Sequence, residues 1–456
     1  MKFKIENLGI IENGEISLNR PLTIFCGPNG TGKTYASCIL QAITSNRYSP
    51  NKPLNEDLLN NLVDTGTVEI PLNIDEAISY RNTSVEIIKI HLKEIFGVSE
   101  KEADSMFPNF NLSFTTDDSD YYEAIKKLTF SLSYVINDAR CKFNKKKNVM
   151  SVTVKIDRRQ NLDPSTVIMF KYSIMGIIYH RLSMHCIASS HIFPIERNAA
   201  FTFGKELALN RKQLIDSMQS ADKNELSNIL KSRTSRYPMA IQDCLNTAID
   251  LSEIQKKSGD FTDLADEIES DLLYGQSLLI DNNGDVRMRI DNGKSIPFTI
   301  TASIFKTLAS VIVALKHMVR HEDLLIIDEP ELNLHPDAQI ILARIFGRLV
   351  NAGVRLLIST HSDYIIRELN NMIMLGNKSD NSRRVAEKYG YKTNETLSCN
   401  NVGVYLFNFT DKKKKHVQIK EVPVETDGFE IDTIDNVISS LNAVAEEAYI
   451  ALKYNE

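Results

Sequence analysis

The stretch Gly27-Pro28-Asn29-Gly30-Thr31-Gly32-Lys33-Thr34 decides the fold class of this chain. Its spacing is G-x-x-x-x-G-K-[ST], the phosphate-binding loop called Walker A. The apolar run 22–26 before it suits a buried strand, and residues 35–43 after it are apolar at helical spacing. A strand, a glycine-rich turn and a helix N-terminus aim backbone N–H groups at one point, where phosphates are stable. We therefore expect this loop to bind ATP, with Lys33 on the β/γ-phosphates and the Thr34 hydroxyl on Mg²⁺.

Length and composition set broad limits. The chain has 456 residues, enough for two or three domains. Its 53 Lys and Arg against 59 Asp and Glu give a net charge of −6, which argues against a dedicated nucleic-acid coat but not against a local basic groove. The six cysteines are scattered without a C-x-x-C pair, as in reduced thiols. No signal peptide and no apolar run of ~18–20 residues is evident, so we expect a soluble, cytoplasmic protein without a membrane partner.

The order of predicted elements indicates an α/β protein. Strands and helices alternate at both ends of the chain, which favours a parallel sheet. Residues 1–26 read as a hairpin, turning near Asn13-Gly14, that feeds the Walker A strand. The segments 46–64 and 377–400 are polar and predict loops, whereas 166–173 predicts a strand and 187–193 another central strand.

A second acidic element completes a nucleotide site. Leu324 to Ile327 is an apolar run that ends in Asp328-Glu329, which is the pattern of a Walker B strand. Acids at the carboxyl end of a buried parallel strand lie where ligands bind in such sheets. We expect Asp328 to hold the Mg²⁺ shell through water and Glu329 to act as general base toward the attacking water.

His361 follows the next strand, in Ser359-Thr360-His361-Ser362. A histidine at a strand end is commonly structural. One strand beyond Walker B, however, it is placed to hydrogen-bond the γ-phosphate and the attacking water, and so to sense the terminal phosphate.

Together these residues resemble the ABC-type ATPase clan, and within it the OLD-like branch. The resemblance rests on Walker A, on the run Asp328-Glu329-Pro330-Glu331-Leu332-Asn333-Leu334-His335-Pro336, and on Thr360-His361-Ser362-Asp363. It implies an ABC-type P-loop ATPase head in which 331–336 is a D-loop, at the interface between two heads. It also implies that ATP is sandwiched in a homodimer or higher oligomer.

Two further matches to that clan are partial. Ser303 opens a predicted helix where ABC proteins carry the signature that touches the γ-phosphate of a partner subunit, but the usual Gly is absent. Ser303 is also a good N-cap, and that role alone would account for it. Pro194-Ile195-Glu196-Arg197 resembles the Q-loop segment without its glutamine, so Glu196 or Arg197 could contact nucleotide or Mg²⁺.

The predicted organisation has four parts. The ATPase core comprises 1–45, 185–198 and 276–376, and a mixed α+β insert occupies 46–184. A helical arm follows at 199–275, and the segment 377–456 is a possible docking surface for a partner.

The resemblance leaves the output open. Members of this branch are often fused to a TOPRIM nuclease, but the tail after residue 376 lacks a D-x-D and is too short for that domain. The first hypothesis is therefore a stand-alone ATPase, resembling those of bacterial anti-phage systems such as PARIS, Septu and retrons, that controls a separate nuclease or toxin. The second is an SMC-like DNA-repair ATPase that binds nucleic acid directly. The third is a transporter motor, for which no membrane-coupling segment is identifiable.

Overall fold

The computed structural model describes most of the chain. The described residues are 1–137, 139–157, 162–204, 237–290, 293–377, 379–411, 413 and 415–454. The strands are β1 Lys2–Leu8, β2 Ile11–Ser17, β3 Leu22–Cys26, β4 Thr67–Pro71, β5 Asn111–Phe114, β6 Phe130–Ile136, β7 Ala139–Lys145, β8 Ser151–Ile156, β9 Ser190–Phe193, β10 Ser277–Ile280, β11 Val286–Arg289, β12 Ser295–Pro297, β13 Leu324–Asp328, β14 Arg355–Ser359, β15 Val402–Phe409 and β16 Val417–Val422.

The helices whose two ends are described are α1 Lys33–Thr44, α2 Glu56–Thr65, α3 Ile74–Ile90, α4 Leu92–Phe96, α5 Glu100–Met106, α6 Asp118–Lys127, α7 Pro164–Ser183, α8 Met239–Ile249, α9 Leu251–Ile254, α10 Thr262–Leu272, α11 Ser303–His317, α12 Pro336–Asn351, α13 Asp363–Leu375, α14 Asp380–Lys388 and α15 Asp432–Tyr454. Residues 197–204 are helical as well. No helix among the described residues has the length and apolarity needed to span a bilayer.

A nine-stranded sheet carries the Walker A strand in its middle. Its order is β5-β1-β2-β16-β15-β3-β14-β13-β9. The five strands from β15 to β9 are parallel, whereas β1 pairs antiparallel with β2 and with β5. The predicted α/β class with a parallel P-loop sheet is therefore confirmed.

Both faces of this sheet are buried, which explains why its central strands are apolar throughout. Ile24 and Cys26 of β3 belong to a core shared with α10 to α13, while Phe25 belongs to a second core that includes α1. The same alternation recurs in β13. A third core lies within residues 54–182, where β4, β6, β7 and β8 form a separate sheet covered by α2, α3 and α7.

Several sequence expectations fail for identifiable reasons. The predicted strand 166–173 lies inside α7, which begins at Pro164 after Asp163 has capped it through its side chain. Phe170, Ile174, Ile178 and Leu182 recur every four residues and are buried, which is a helical period that the β-branched composition hides. The predicted loop 46–64 contains α2, which is capped by Asn55.

Turn and edge positions also differ from expectation. The β1–β2 hairpin turns at residues 9–10, and Asn13-Gly14 lies within β2, where Gly14 gives room to the side chain of Ile419. Strand β9 is an edge of the sheet and not a central strand. Lys145, at the end of β7, is buried although it belongs to a run of three lysines, and its ammonium donates to the Leu128 carbonyl at 3.0 Å.

The C-terminal segment is part of the sheet. Strands β15 and β16 lie between β3 and β2, so residues 402–422 belong to the same sheet as the Walker A strand and contribute to the cores on its two faces. The predicted loop 377–400 includes α14 and the buried Glu395, which binds Arg348. Of the predicted helical arm 199–275, residues 205–236 lie outside the described residues, and α9 and α10 bury their apolar faces in the first core.

Candidate functional site

The Walker A loop joins β3 to α1 as predicted. Strand β3 ends at Cys26, α1 begins at Lys33, and Gly32 caps the helix in a left-handed conformation with φ 87°. The Lys33 ammonium donates to the carbonyls of Gly27, at 3.0 Å, and Pro28, at 2.9 Å. The Thr31 hydroxyl donates to the Pro28 carbonyl at 2.8 Å. Hydrogen bonds from the Lys33 and Thr31 side chains thus stabilise the curled backbone conformation of the loop.

The Lys33 ammonium lies in a partly dehydrated, acidic setting. Burial lowers its pKa to about 8, while the nearby Cys26, Glu329 and Asp328 act in the opposite direction. Since phosphate oxygens would add negative charge beside the ammonium, nucleotide binding would favour its protonated form.

The end of β13 is fastened to β14. The Ser359 hydroxyl donates to the Asp328 carboxylate, and both side chains are buried. The N–H of Glu329 donates to the Ser359 carbonyl at 3.0 Å. Glu329 has φ 42°, a left-handed conformation that bulky residues rarely adopt. This turn separates the two acids, so that Asp328 lies inside and Glu329 faces the cleft.

His361 lies beside Glu329, as its sequence position predicts. Its Nε2 is 3.7 Å from a Glu329 carboxylate oxygen, and both side chains are about 30% exposed. Burial, together with the Lys33 charge, lowers the pKa of His361 to about 4. The imidazole is therefore neutral at pH 7 and can donate one hydrogen bond and accept another.

Glu331 links Walker B to His361, a contact that sequence reasoning missed. One of its carboxylate oxygens accepts from the His361 N–H at 2.7 Å and from the Thr360 hydroxyl at 2.8 Å. The other oxygen is buried without a partner among the described residues. Burial raises the pKa of this carboxyl. The backbone of His361 is thus positioned by the first residue of the predicted D-loop.

Arg197 has a structural position rather than one facing nucleotide. Its side chain is 1% exposed and donates to the carbonyls of Asp328, at 2.7 Å, and Glu329, at 3.0 Å. Further bonds reach the carbonyls of Pro194 and Thr307. Of the two residues left open as nucleotide or Mg²⁺ contacts, Glu196 and Arg197, the structure uses the Arg197 guanidinium to hold the backbone on which Glu329 sits.

These elements enclose a cleft of about 480 Å³, a size typical of small-ligand sites. Its lining comprises Gly9, Ile10, Asn29, Gly30, Thr31, Gly32, Lys33, Thr34, Tyr35, Met106, Glu329, Ser359 and His361. Gly27 and Pro28 are not part of this lining, and their carbonyls accept the hydrogen bonds from Lys33 and Thr31 within the loop. The lining residues Met106, from the insert, and Ser359 were not anticipated, because nothing local in the sequence brings them to the loop.

Ser303 lies apart from this cleft. Helix α11 is capped at Ala302, without a side-chain bond, so the predicted capping role of Ser303 is not observed. The exposed Ser303 hydroxyl instead donates to the Asn333 carbonyl at 3.4 Å. Ser303 and the predicted D-loop thus share one surface of this chain.

The donor set fits Mg²⁺, which takes oxygen ligands and usually needs only one or two carboxylates besides phosphates and water. Thr34 and Ser359 bring hydroxyls to the cleft, and Asp328 lies directly behind Ser359. No group of three or more His, Cys, Asp and Glu residues in the described ranges could form an all-protein metal centre.

Comparisons with known proteins identify one sequence family. A model of the family described as "AAA ATPase domain" matches residues 1–366. No curated protein matches the chain.

Solved SMC heads also align with it over most of their length. The SMC head domain from Thermotoga maritima is 8% identical, with 93% of this chain and 98% of that chain covered and a TM-score of 0.33. An SmcHead bound to the C-winged helix domain of ScpA is 11% identical, with 93% of this chain and 97% of that chain covered and a TM-score of 0.37. An Smc head domain with an extended coiled coil, bound to the C-terminal domain of ScpA derived from Pyrococcus furiosus, is 9% identical. The alignment covers 97% of this chain and 98% of that chain, with a TM-score of 0.33.

Proposed function

We propose that this chain, which belongs to the AAA ATPase domain family, binds and hydrolyses ATP in the Walker cleft and uses the cycle to control a separate effector protein. The observation that carries the catalytic part is the convergence of Lys33, Glu329 and His361 on one cleft. A cation for phosphate, a carboxylate for water and a neutral imidazole are the groups that phosphoryl transfer to water requires.

Each side chain has a distinct task in this proposal. The Lys33 ammonium exchanges the carbonyls of Gly27 and Pro28 for β/γ-phosphate oxygens. Glu329 accepts a proton from the attacking water as the water oxygen bonds to the γ-phosphorus and the bond to the ADP oxygen breaks. His361 orients the water and the γ-phosphate as a neutral hydrogen-bonding group. The products are ADP and phosphate.

Mg²⁺, when bound, would neutralise charge on the β- and γ-phosphates. Thr34 would ligate it directly, and Asp328 would hold its shell through water. The bond from Ser359 fixes the Asp328 carboxylate in place for that task.

A second copy would complete the site. Ser303 and Asn333 are exposed, and the His335 side chain is 76% exposed, so the predicted signature and D-loop lie on one accessible surface. In the proposed ATP-sandwiched dimer, this surface of one copy would close over the cleft of the other. In an isologous dimer both copies use the same surface. Each copy would then supply one Walker cleft and one surface with Ser303 and the D-loop that closes the cleft of the other copy.

The C-terminal helix α15 supports an effector partner. Its apolar side chains Val437, Leu441 and Val444 are 57%, 64% and 62% exposed, and Ala448 and Ala451 continue the same spacing. This spacing of three and four residues is the seam of a coiled coil, so the chemistry that fits it is another apolar helix. We assign that helix to the effector. By the resemblance to anti-phage ATPases, the effector is a nuclease or toxin of a bacterial defence system.

The experiment uses Glu329→Gln, which retains ATP, co-expressed with its genomic neighbours and purified with Mg²⁺ and ATP. The expected result is an ATP-dependent assembly that contains two or more copies of this chain and an effector. The double variant Leu441→Asp/Val444→Asp should lose the effector, whereas the control Ser439→Asp/Glu446→Asp, on the opposite face of α15, should retain it.

Three outcomes would contradict parts of the proposal. If the protein stays monomeric with ATP, the proposed sandwiched dimer is contradicted. If the assembly contains no effector, the proposed control of an effector protein is contradicted. Loss of self-association alone in the α15 variant would assign that helix to a second copy. Salt-sensitive binding of nucleic acid in place of an effector would favour the SMC-like alternative.

A further inference from the structure

The sheet β4-β8-β7-β6 of the insert has one solvated face. Its inner side chains belong to the third core, together with those of α2, α3 and α7. The side chains that alternate to the opposite side are exposed, as in an antiparallel sheet with one face in water. We call this surface the outer sheet face; it consists of the odd-numbered residues of 67–69, 131–135 and 153–155 and the even-numbered residues of 140–144.

The charge of this part of the chain is opposite in sign to that of the whole. Residues 139–156, which form β7, β8 and the turn between them, contain six Lys and Arg and no Asp or Glu, although the chain carries a net charge of −6. Lys145 is buried. The other five are exposed: Arg140, Lys142, Lys146, Lys147 and Lys155. A basic surface on an acidic protein is typical of contact with a polyanion.

Two of these cations lie directly opposite each other. Lys142 on β7 and Lys155 on β8 are cross-strand neighbours, a position in which like charges destabilise a sheet. Asp157 contacts Lys142 at 3.2 Å, but the two side chains are 52% and 39% exposed, and such surface pairs contribute little. Lys155 forms no ion pair within the described residues. A ligand with several negative charges would relieve the repulsion between the two lysines.

Hydrogen-bonding side chains flank these cations. One row crosses all four strands as Ser133, Lys142, Lys155 and Thr67. The next row is Ser131, Asn144, Thr153 and Glu69, in which the Glu69 carboxylate accepts from the Ser151 hydroxyl. Along β7, alternate residues such as 140 and 142 are about 7 Å apart, close to the separation of successive phosphates on a nucleic-acid strand. Hydroxyl and amide groups beside cations suit phosphate oxygens.

The outer sheet face has no aromatic side chain at its described positions. Tyr134, which is 37% exposed, belongs to the inward set and packs edge-on against Phe143. The exposed apolar side chain of this face is Val135. Single strands are held by bases stacked on aromatic rings, and membranes by inserted apolar side chains, so neither suits this surface. The phosphate backbone of a duplex is the polyanion that fits.

We propose that the outer sheet face binds double-stranded DNA through its phosphates, without reading the base sequence. Duplex DNA is favoured over RNA because RNA is recognised mainly through stacked unpaired bases or 2′-hydroxyl groups in a groove, and an open sheet face without aromatic rings suits neither. The surface shares no residue with the lining of the Walker cleft. DNA binding here goes beyond the proposed control of an effector and does not depend on ATP hydrolysis.

The test is fluorescence anisotropy of the full chain with a labelled DNA duplex of mixed sequence, without nucleotide, over a range of salt concentrations. The dissociation constant should be about 10⁻⁴ to 10⁻⁶ M at physiological salt, and the logarithm of the affinity should fall with the logarithm of salt with a slope of about −4. A duplex of unrelated sequence should bind equally well.

Lys142→Gln/Lys155→Gln removes two of the five exposed cations. This variant should bind the duplex about tenfold or more weakly at about 50 mM salt, with a salt slope shallower by about 2. Lys256→Gln/Lys257→Gln is the matched control, because it removes the same charge from two exposed side chains outside the insert. The control, and Lys33→Ala in the Walker cleft, should bind the duplex as wild type does.

Thermal unfolding of the first variant separates binding from stability. Because Lys142 and Lys155 repel each other, their replacement should leave the melting temperature unchanged or raise it. A lower melting temperature would contradict the argument from repulsion, and Arg140→Gln/Lys146→Gln then repeats the binding test on two other cations. The proposal is overturned if no duplex binds at about 50 mM salt, or if the face variants bind no more weakly than the control. Tighter binding of single-stranded DNA, duplex RNA or anionic phospholipid vesicles than of duplex DNA would also overturn it.

Discussion

The carbonyl oxygen of Phe407 lies only 2.1 Å from the position that a Cβ on Gly27 would occupy. Gly27 opens the Walker A loop and has φ 132°, a conformation that favours glycine. Phe407 belongs to β15, which pairs with β3. Strand β15, in the C-terminal segment, therefore packs directly against the first residue of the Walker A loop.

This contact predicts the effect of substituting two glycines of the same loop. Gly27→Ala should destabilise the fold by about 1–3 kcal/mol or more, because the new methyl group meets backbone that cannot move aside easily. Gly30→Ala is the matched control, since its φ is also positive, at 74°, but no atom lies within 4 Å of the added Cβ. Urea unfolding should show the larger loss for Gly27→Ala. Equal losses would mean that backbone strain alone acts and that the Phe407 contact has no consequence.

Nucleotide affinity should depend on pH through Lys33. The protonated amine binds phosphate, and its pKa in the free protein is lowered to about 8 by burial. Affinity should therefore be full below that value and fall as the pH rises through it, by about tenfold between pH 7 and pH 9. Titration with a fluorescent ATP analogue measures this. Lys33→Arg, whose charge does not titrate in this range, should bind with a flat pH profile; a slope in that variant equal to wild type would assign the effect elsewhere.

Arg197 should matter for both stability and catalysis. Arg197→Met removes the donors for the carbonyls of Asp328 and Glu329, and a buried polar group left unpaired costs about 1–3 kcal/mol. We expect a lower unfolding midpoint in urea and slower ATP hydrolysis, because the Glu329 backbone loses its anchor. A variant with normal stability would show that these bonds are not needed.

The local parts of the site were predictable from the sequence. Walker A, Walker B and His361 each depend on a few neighbouring residues, and parallel strands bring their carboxyl ends to one edge of a sheet. The contact of Glu331 with His361 was not predictable, because it depends on the left-handed turn at Glu329. The role of Arg197 was left open for a similar reason, since a lone arginine after a strand does not reveal which carbonyls its guanidinium will contact.

The fold was predictable where periodicity is long and unambiguous. Helices α11, α12 and α15 and strands β13 and β14 follow the apolar patterns of their sequences. Helix α7 was missed because β-branched and aromatic residues suggest a strand over a short window. The insertion of β15 and β16 beside β3 is a long-range pairing, and no local signal in residues 402–422 announces it.

Glu331 should act as a positioning residue for His361. Glu331→Ala leaves the His361 N–H and the Thr360 hydroxyl unpaired, and we expect kcat to fall by about 10- to 100-fold with little change in KM for ATP. Glu331→Gln keeps an acceptor oxygen, and burial already disfavours the charged carboxylate, so it should restore most of kcat. Equal losses in the two variants would contradict a role through that acceptor.

The most direct test of the central claim is the ATP hydrolysis rate of Glu329→Gln against wild type, with Mg²⁺ and saturating ATP. Glu86→Gln serves as matched control, because that carboxylate is 66% exposed on α3 and pairs only with Lys89 in the described structure. If Glu329 is the general base, its variant should bind ATP normally and hydrolyse it about 10²- to 10⁴-fold more slowly, while Glu86→Gln hydrolyses at the wild-type rate. A Glu329→Gln rate equal to that of wild type would contradict the account.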